Sequence, residues 1–148
     1  MQTFLPYADF AVSASVLDRQ RLGKQRVENL QIMNALVGGK GWENHPAVHQ
    51  WAGYEDALIE YQRAIIREWT EVRGYKDTCW SKTLYIYGSG PFIPANTLTP
   101  WWLGIEDYHL SHQSNLIRKD PEHYGPLFPG VPDDLPYYWP TQQMTPYG

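Results

Sequence analysis

The chain has 148 residues and a net charge of −4, with 43% hydrophobic and 19% charged residues. This composition is typical of one globular domain and excludes a largely disordered chain. The acidic balance argues against a protein that coats nucleic acid without specificity, and the single cysteine, Cys79, excludes an internal disulfide. No apolar run reaches membrane-spanning length and the first residues do not resemble a signal peptide, so we expect a cytoplasmic protein.

The first helix is predicted after a short extended segment. Residues 1–12 are apolar and contain a proline, which favours extended backbone. Ser13 or Ser15 is expected to cap a helix that reaches Leu36 or Val37 and ends at Gly38-Gly39. This helix contains most of the cations in the first part of the chain.

Two further helices are predicted before the middle of the chain. Asn44 followed by Pro46 indicates a helix start, with the helix running to Ala52. Residues 55–73 have the clearest helical pattern, because apolar side chains recur every three or four positions up to Gly74. The segment 77–87 is compatible with either a helix or a short strand.

The second half of the chain is predicted to be less regular. Residues 88–103 are rich in Gly and Pro and are predicted as a loop, followed by a helix near residues 102–118. The tail beyond Asp120 contains many prolines, but its aromatic residues need a surface to pack on, so we expect an ordered, irregular strap. The predicted fold is all-α: a single compact helical domain over residues 1–148, with a helical core (1–87) and a loop, helix and ordered tail (88–148).

The positive charge is concentrated at the start of the chain. Residues 1–40 carry five Lys or Arg against three Asp or Glu, whereas residues 41–148 have a balance of −6. The stretch from Leu17 to Glu28 alone contains four cations, two carboxylates and two glutamines. An anionic ligand is therefore expected to meet this helix.

One face of this helix combines a carboxylate with cations. Arg21, Lys24, Gln25 and Glu28 are three, four and seven residues apart, so they share that face. Such an arrangement is typical of a catalytic carboxylate beside an anionic substrate. Spacing alone favours the other interpretation, a solvated helix face that carries internal ion pairs.

The pattern Leu-x-x-Gln-x-Leu-x-x-x-x-x-Glu resembles the N-terminal helix of the pyrimidine-dimer DNA glycosylase family. It is carried by Leu17, Gln20, Leu22 and Glu28, and Glu28 falls where that family has its catalytic carboxylate. Arg21 stands where the family has a histidine. The chain as a whole is similar to a bacterial subgroup of short proteins placed beside that family.

The resemblance implies a DNA glycosylase that removes a pyrimidine dimer or a bulky modified base, with abasic-site lyase activity as a second step and no metal or cofactor. Family enzymes attack the sugar C1′ with the α-amine at the chain start and form a Schiff base. Glu28 is expected to act on the sugar. Gln2 is bulky and disfavours removal of Met1, so the Met1 amine is the expected nucleophile; Lys24, Lys82 or no nucleophile at all are the alternatives.

DNA contacts are expected from cations and amide side chains. Cations near Glu28 are predicted to hold phosphates beside the lesion, and a later helix has polar side chains suited to reading base edges. The predicted DNA-contact residues are Arg19, Arg21, Lys24, Gln25, Arg26, Lys82, His109, His112, Gln113 and Asn115.

Alternative interpretations remain open. His45 and His49 have the i, i+4 spacing of some metal ligands, but a capping histidine followed by a helix histidine is the favoured interpretation. His109 and His112, with Glu106 on the same helix, form a second and weaker candidate for a metal site. For the whole protein, the alternatives to a glycosylase are a non-catalytic module that binds damaged or modified nucleotides and a hydrolase of a small nucleotide-like substrate.

Overall fold

The computed structural model describes residues 1–39, 44–90 and 98–140. A π-helical turn, Glu68–Val72, directly follows the α-helix Glu55–Arg67. The described residues include no β-strand, which confirms the all-α prediction, and none of their helices is long and apolar enough to cross a bilayer. The α-helices are α1 (Phe10–Val16), α2 (Arg19–Val37), α3 (Pro46–His49), α4 (Glu55–Arg67), α5 (Cys79–Ser89), α6 (Glu106–Lys119) and α7 (Pro121–Tyr124).

The predicted first helix is two helices, so the predicted start at Ser13 or Ser15 was wrong. Asp9 caps α1, and Asp18 caps α2 by accepting the Arg21 N–H. Both aspartates have extended backbone, which places a side-chain oxygen on the first free N–H groups. Ser13 is instead buried inside α1, where its hydroxyl hydrogen-bonds the backbone of Tyr7. The charged stretch therefore begins at the N-terminus of its own helix.

The structure shortens the second predicted helix and confirms the third. The helix α3 has only four residues, and its cap is His45 rather than Asn44. The predicted helix over 55–73 is confirmed by α4 and the π-helical turn that follows it. The chain leaves the helix at Gly74, which has a φ of 77°.

The ambiguous segment 77–87 is helical, because the Asp77 carboxylate accepts the N–H groups of Cys79 and Trp80 and so starts α5. The helix predicted from Trp102 begins later, at Glu106. The predicted loop over 88–103 falls partly on residues 91–97, which lie outside the described residues.

The core forms where α2 packs against α4 and α5. Leu22 and Ile32 of α2 and Leu58 and Ile65 of α4 are fully buried. Each such side chain contributes about 1.5–3 kcal/mol to stability.

The C-terminal strap, residues 131–140, crosses α6 without regular structure. The Ser114 and Ser111 hydroxyls accept the N–H groups of Leu135 and Tyr138, and Asn115 donates to the Leu135 carbonyl. The predicted ordered tail is thus confirmed up to residue 140, and residues 141–148 lie outside the described part.

Candidate active site

The chain start, residues 1–5, runs through the interior of the fold. Gln2 is 5% exposed, and Thr3 and Leu5 are completely buried. A buried extended segment without a neighbouring strand leaves its N–H and C=O groups unpaired unless side chains bond them. In this protein, helix side chains supply those bonds.

Gln25 of α2 binds the chain start with both ends of its amide. Its Oε1 accepts the Phe4 N–H at 3.0 Å, and its Nε2 donates to the Gln2 carbonyl at 2.8 Å. The same Nε2 donates to Asn29, which donates to Gln62 of α4 at 3.0 Å. Gln62 in turn donates to Thr83 of α5. This buried network therefore fixes the chain start relative to three helices.

Two histidines of α6 hold the chain start from the other side. The His112 Nδ1 accepts the Leu5 N–H at 2.9 Å, and burial lowers the pKa of His112 to about 3. The His109 Nε2 accepts the Gly104 N–H, so its Nδ1 carries the proton and donates to the Leu5 carbonyl at 2.7 Å. Burial also lowers the pKa of His109. Both rings are therefore neutral structural partners near neutral pH.

Glu28 lies beside the beginning of this segment. Its Oε2 accepts the Gln2 N–H at 3.3 Å, and its Oε1 lies 3.7 Å from the Lys24 Nζ. The Glu28 side chain is only 11% exposed, whereas that of Lys24 is 72% exposed. Because consecutive residues are about 3.8 Å apart, the Met1 amine is within one residue of the contact with Glu28. A lysine and the Gln2 N–H thus contact one buried carboxylate, and Met1 precedes this contact by one residue.

Rings of the C-terminal strap pack beside the chain start. The Trp139 ring packs edge-on against His45 at 5.9 Å between centroids and contacts Tyr137 at 5.5 Å. Tyr137 in turn packs on Phe4 of the chain start at 6.4 Å. Burial raises the pKa of Tyr137 to about 12, with smaller effects from the charges of Arg118, Glu28 and Arg21. The C-terminal strap therefore forms an aromatic wall beside the chain start.

His45 sits between this wall and α3. Its Nδ1 accepts the Ala47 N–H at 3.0 Å, which confirms the capping interpretation. The charges of the Met1 amine and Glu28 both act on the ring. Within the three described ranges, no three His, Cys, Asp or Glu side chains come together as a metal site.

The opposite face of α2 carries a second charged cluster, which we call the aromatic clamp (Arg19, Arg26, Trp69, Tyr75 and Asp77). Arg26 pairs with Asp77 at 2.5 Å, and its guanidinium lies 4.3 Å from the centre of the Trp69 ring. Arg19 lies 5.5 Å from the centre of the Tyr75 ring, which packs on Trp69. This arrangement does not favour the phosphate contact predicted for Arg26, because the Arg26 side chain is 15% exposed and already paired with Asp77.

The remaining predicted DNA contacts divide into surface groups and internal groups. Arg21 pairs with Asp18 at 3.1 Å at the start of α2. Lys82 lines a groove of about 570 Å³ between α2 and α5. Gln113 donates to the Pro6 carbonyl, and Asn115 binds the strap.

The residues predicted to read bases from α6 mostly lie inside the fold. Each has a side-chain hydrogen bond to the chain start or the strap, and Gln25 of α2 is likewise 1% exposed. In this structure these residues connect the chain start and the strap to the helices. They are His109, His112, Gln113 and Asn115.

Sequence reasoning missed the partners that assemble the site. Tyr61 donates from its hydroxyl to the Phe4 carbonyl at 2.5 Å, and Gln50 and Trp51 both donate to the Thr3 hydroxyl. One usable signal existed: Gln62 stands among the apolar positions of α4, where a polar side chain needs an internal partner. The meeting of His45 with Trp139 has no local signal in the sequence.

The sequence profile of the pyrimidine dimer DNA glycosylase family matches residues 1–83, more than half of the 148 residues. Searches of curated proteins and of solved structures gave no match. The matched region contains the chain start, α2 with Glu28, and most of the buried network around Gln25. The chain therefore belongs to the pyrimidine dimer DNA glycosylase family.

Proposed function

We propose that this protein is a DNA glycosylase with abasic-site lyase activity, which removes a pyrimidine dimer or a bulky modified base through an amine and Glu28. The observation that carries the proposal is the hydrogen bond from the Gln2 N–H to the Glu28 carboxylate at 3.3 Å. This hydrogen bond holds the beginning of the chain beside a buried carboxylate. An amine nucleophile and an acid–base group could then act on the same deoxyribose of bound DNA.

The proposed reaction uses the Met1 amine as nucleophile. Its nitrogen bonds to C1′ while the glycosidic C1′–N1 bond breaks, and the bonding electron pair leaves with the base. The amine loses a proton to Glu28, which passes it on, so that the base departs neutral. Opening of the sugar ring then gives a Schiff base, from which loss of the 2′ proton and the 3′ phosphate cleaves the strand.

We expect Lys24 to hold a phosphate beside this centre, whereas Arg21, which is 20% exposed and paired with Asp18, would have to leave its partner to do so. Lys24 is mostly exposed and lies at the Glu28 carboxylate, and Arg21 lies one turn earlier on the same face. The part of the chain after residue 40 has a balance of −6, so the contact with DNA is expected to be local to this face.

Borohydride trapping tests the reaction. The protein is incubated with a duplex that carries one cyclobutane thymine dimer, with and without sodium borohydride. A covalent protein–DNA adduct and strand cleavage are expected. Glycosidic-bond cleavage without an adduct would leave a glycosylase without the lyase step; in the dimer, the freed base stays bonded to its neighbour through the cyclobutane ring. The absence of both glycosidic-bond cleavage and adduct, on dimer DNA and on other modified DNA, would overturn the proposal.

Two measurements identify the amine. The intact mass shows whether Met1 is the first residue; if it is removed, the Gln2 nitrogen that already contacts Glu28 becomes the amine. Peptide mapping of the reduced adduct then locates the bond. Lys24→Arg and Lys82→Arg keep their charges but remove the primary amines, so unchanged trapping in both variants assigns the nucleophile to the chain start.

A further inference from the structure

We propose that the groove between α2 and α5 binds an unpaired nucleotide of single-stranded DNA, with the base stacked on Tyr85 and the phosphate at Lys82. This inference goes beyond the proposed function, because such a site binds DNA whether or not the protein breaks a glycosidic bond. It adds a contact with DNA that is separate from the Glu28 carboxylate.

The groove has the size and the exposed ring that a nucleobase requires. Its volume of about 570 Å³ lies in the range of small-molecule sites. Leu30 of α2 and Ile86 of α5 contribute apolar surface to its lining. Tyr85 also lines the groove and is 78% exposed, so the fold leaves most of this side chain uncovered. A base can therefore contact both the apolar lining and the tyrosine ring.

The polar groups of the groove suit a nucleotide better than an apolar partner. Lys82 lines the groove, and no carboxylate among the residues that the structure describes pairs with it. None of the lining residues is acidic, so a phosphate bound there meets no opposing charge. Asn34 adds an amide that can bond a base edge. An aromatic ring beside a cation is the combination with which proteins hold single strands.

The exposed ring favours a single strand over a duplex. In a duplex the face of each base is covered by the neighbouring pairs, and only base edges reach the grooves. Tyr85 can stack only on a base whose own face is uncovered. An unpaired strand presents such a face without the energetic cost of extruding the base from a helix.

The groove is continuous with the Glu28 region along the surface of α2. Four residues of this helix form one stripe, at intervals of three or four positions: Lys24, Val27, Leu30 and Asn34. Val27 is 40% exposed between Lys24 and the groove. The six residues from Lys24 to Leu30 correspond to about 9 Å along the helix axis. A strand bound in the groove can therefore continue to Lys24, which lies beside Glu28.

Binding of undamaged oligonucleotides tests the role of Tyr85. Fluorescence anisotropy compares a labelled single-stranded oligothymidylate of about 12 nucleotides with a blunt duplex of the same length, and we expect the wild type to bind the single strand more tightly. Tyr85→Leu keeps an apolar side chain but removes the ring, so its affinity for the single strand should fall about 5- to 100-fold. Tyr85→Phe keeps the ring and should retain the affinity.

A second variant tests the phosphate contact. Lys82→Gln should weaken single-strand binding and reduce its salt dependence by the equivalent of about one phosphate contact. The matched control is Val72→Ala, which removes a 71% exposed apolar side chain outside the groove lining and should leave the affinity unchanged. Urea denaturation of every variant checks that the fold is retained.

The alternative occupants give distinct results. Unchanged single-strand affinity in Tyr85→Leu or Lys82→Gln, or tighter binding of the duplex by the wild type, would overturn the inference. Tighter binding of oligouridylate would overturn the assignment to DNA. A dimer in sedimentation experiments that Tyr85→Leu dissociates would assign the groove to a second copy of the chain. Borohydride trapping does not depend on any of these results, so the proposed function stands or fails separately.

Discussion

The two faces of α2 carry similar charges but use them differently. On one face, Glu28 and Lys24 lie at the chain start, and Lys24 keeps 72% of its side chain exposed. On the other, Arg26 is 15% exposed, paired with Asp77 and packed on Trp69. The density of charge in a helix therefore does not define one functional patch. Burial and pairing show which cations remain available to an anionic ligand.

This comparison predicts that the two faces can be separated by mutation. Changes at Glu28 and Lys24 should alter chemistry or DNA binding and leave stability nearly unchanged. Changes in the aromatic clamp should do the opposite. The predictions below test that separation.

The largest effect is expected for Glu28→Gln. The amide keeps an oxygen that can accept the Gln2 N–H, so the fold should persist, but it cannot take up and return a proton. Base release is expected to fall by about 10²–10⁴-fold. Single-turnover assays on thymine-dimer DNA measure the rate, and urea denaturation checks the fold. Wild-type turnover in this variant would remove Glu28 from the mechanism.

The clamp should dominate stability. Asp77→Ala leaves the Arg26 guanidinium buried without its partner and removes the bonds to the first N–H groups of α5. A loss of about 3–5 kcal/mol in the free energy of unfolding is expected, measured by urea denaturation. The matched control is Glu60→Ala, which breaks the exposed pair with Arg63 and should cost less than about 1 kcal/mol. Equal costs would contradict the distinction between buried and exposed pairs.

The histidine behind the chain start should make the fold sensitive to acid. The folded pKa of His112, about 3, lies below the ordinary value, so the unfolded chain takes up this proton first. Stability is therefore expected to fall as the pH decreases from about 6.5 towards 3, by up to about 1.4 kcal/mol per pH unit.

His112→Asn should flatten this dependence, as measured by urea midpoints at pH 7 and pH 5. His49→Asn on the surface serves as the control. An unchanged slope in His112→Asn would show that other groups account for the acid sensitivity.

Gln25→Ala should affect both stability and the rate of the reaction, because this residue connects the core to the chain start beside Glu28. The substitution leaves the buried Phe4 N–H and Gln2 carbonyl without their amide partner. We expect a loss of about 1–3 kcal/mol in stability, a slower base release and faster hydrogen exchange at the Phe4 amide. The exposed Gln31→Ala on the same helix is the control, and retention of full activity in Gln25→Ala would argue against a positioning role.

The smallest effects should distinguish the two exposed cations. Arg19→Ala removes the contact with Tyr75 and should cost about 0.5–1 kcal/mol in stability, without changing DNA affinity. Lys24→Ala should leave stability unchanged but weaken DNA binding. It should also reduce the salt dependence of the DNA affinity by the equivalent of about one phosphate contact. Fluorescence titrations at several salt concentrations measure the DNA affinity and its salt dependence. A loss of affinity in Arg19→Ala would bring the clamp face into the DNA interface.

Local sequence pattern predicted the helix with the strongest periodicity and one helix end. The helix after Glu55 and the end of α2 at Gly38 were both apparent from that pattern, whereas the role of Glu28 stays a prediction from the family resemblance. The cap of α2 was misplaced because serines and aspartates compete for the same role over a few residues.

The chemistry of amide and imidazole groups does not reveal what they bond. Gln25 and His112 suit a DNA base as well as they suit a backbone peptide, so the sequence could not show that they bind the chain start. Similarly, Trp139 contacts His45 only through the tertiary fold. Local sequence pattern therefore could not predict long-range contacts between side chains that can hydrogen-bond many different partners.

The bonds from the chain start to α6 have a consequence for how the protein matures on the ribosome. Leu5 and Pro6 are synthesised more than a hundred residues before their partners His112 and Gln113. Contacts of such long separation form late and slowly in folding. Residues 1–5 therefore become enclosed only once α6 has been synthesised. Until then, the Leu5 N–H lacks the imidazole that binds it in the folded protein.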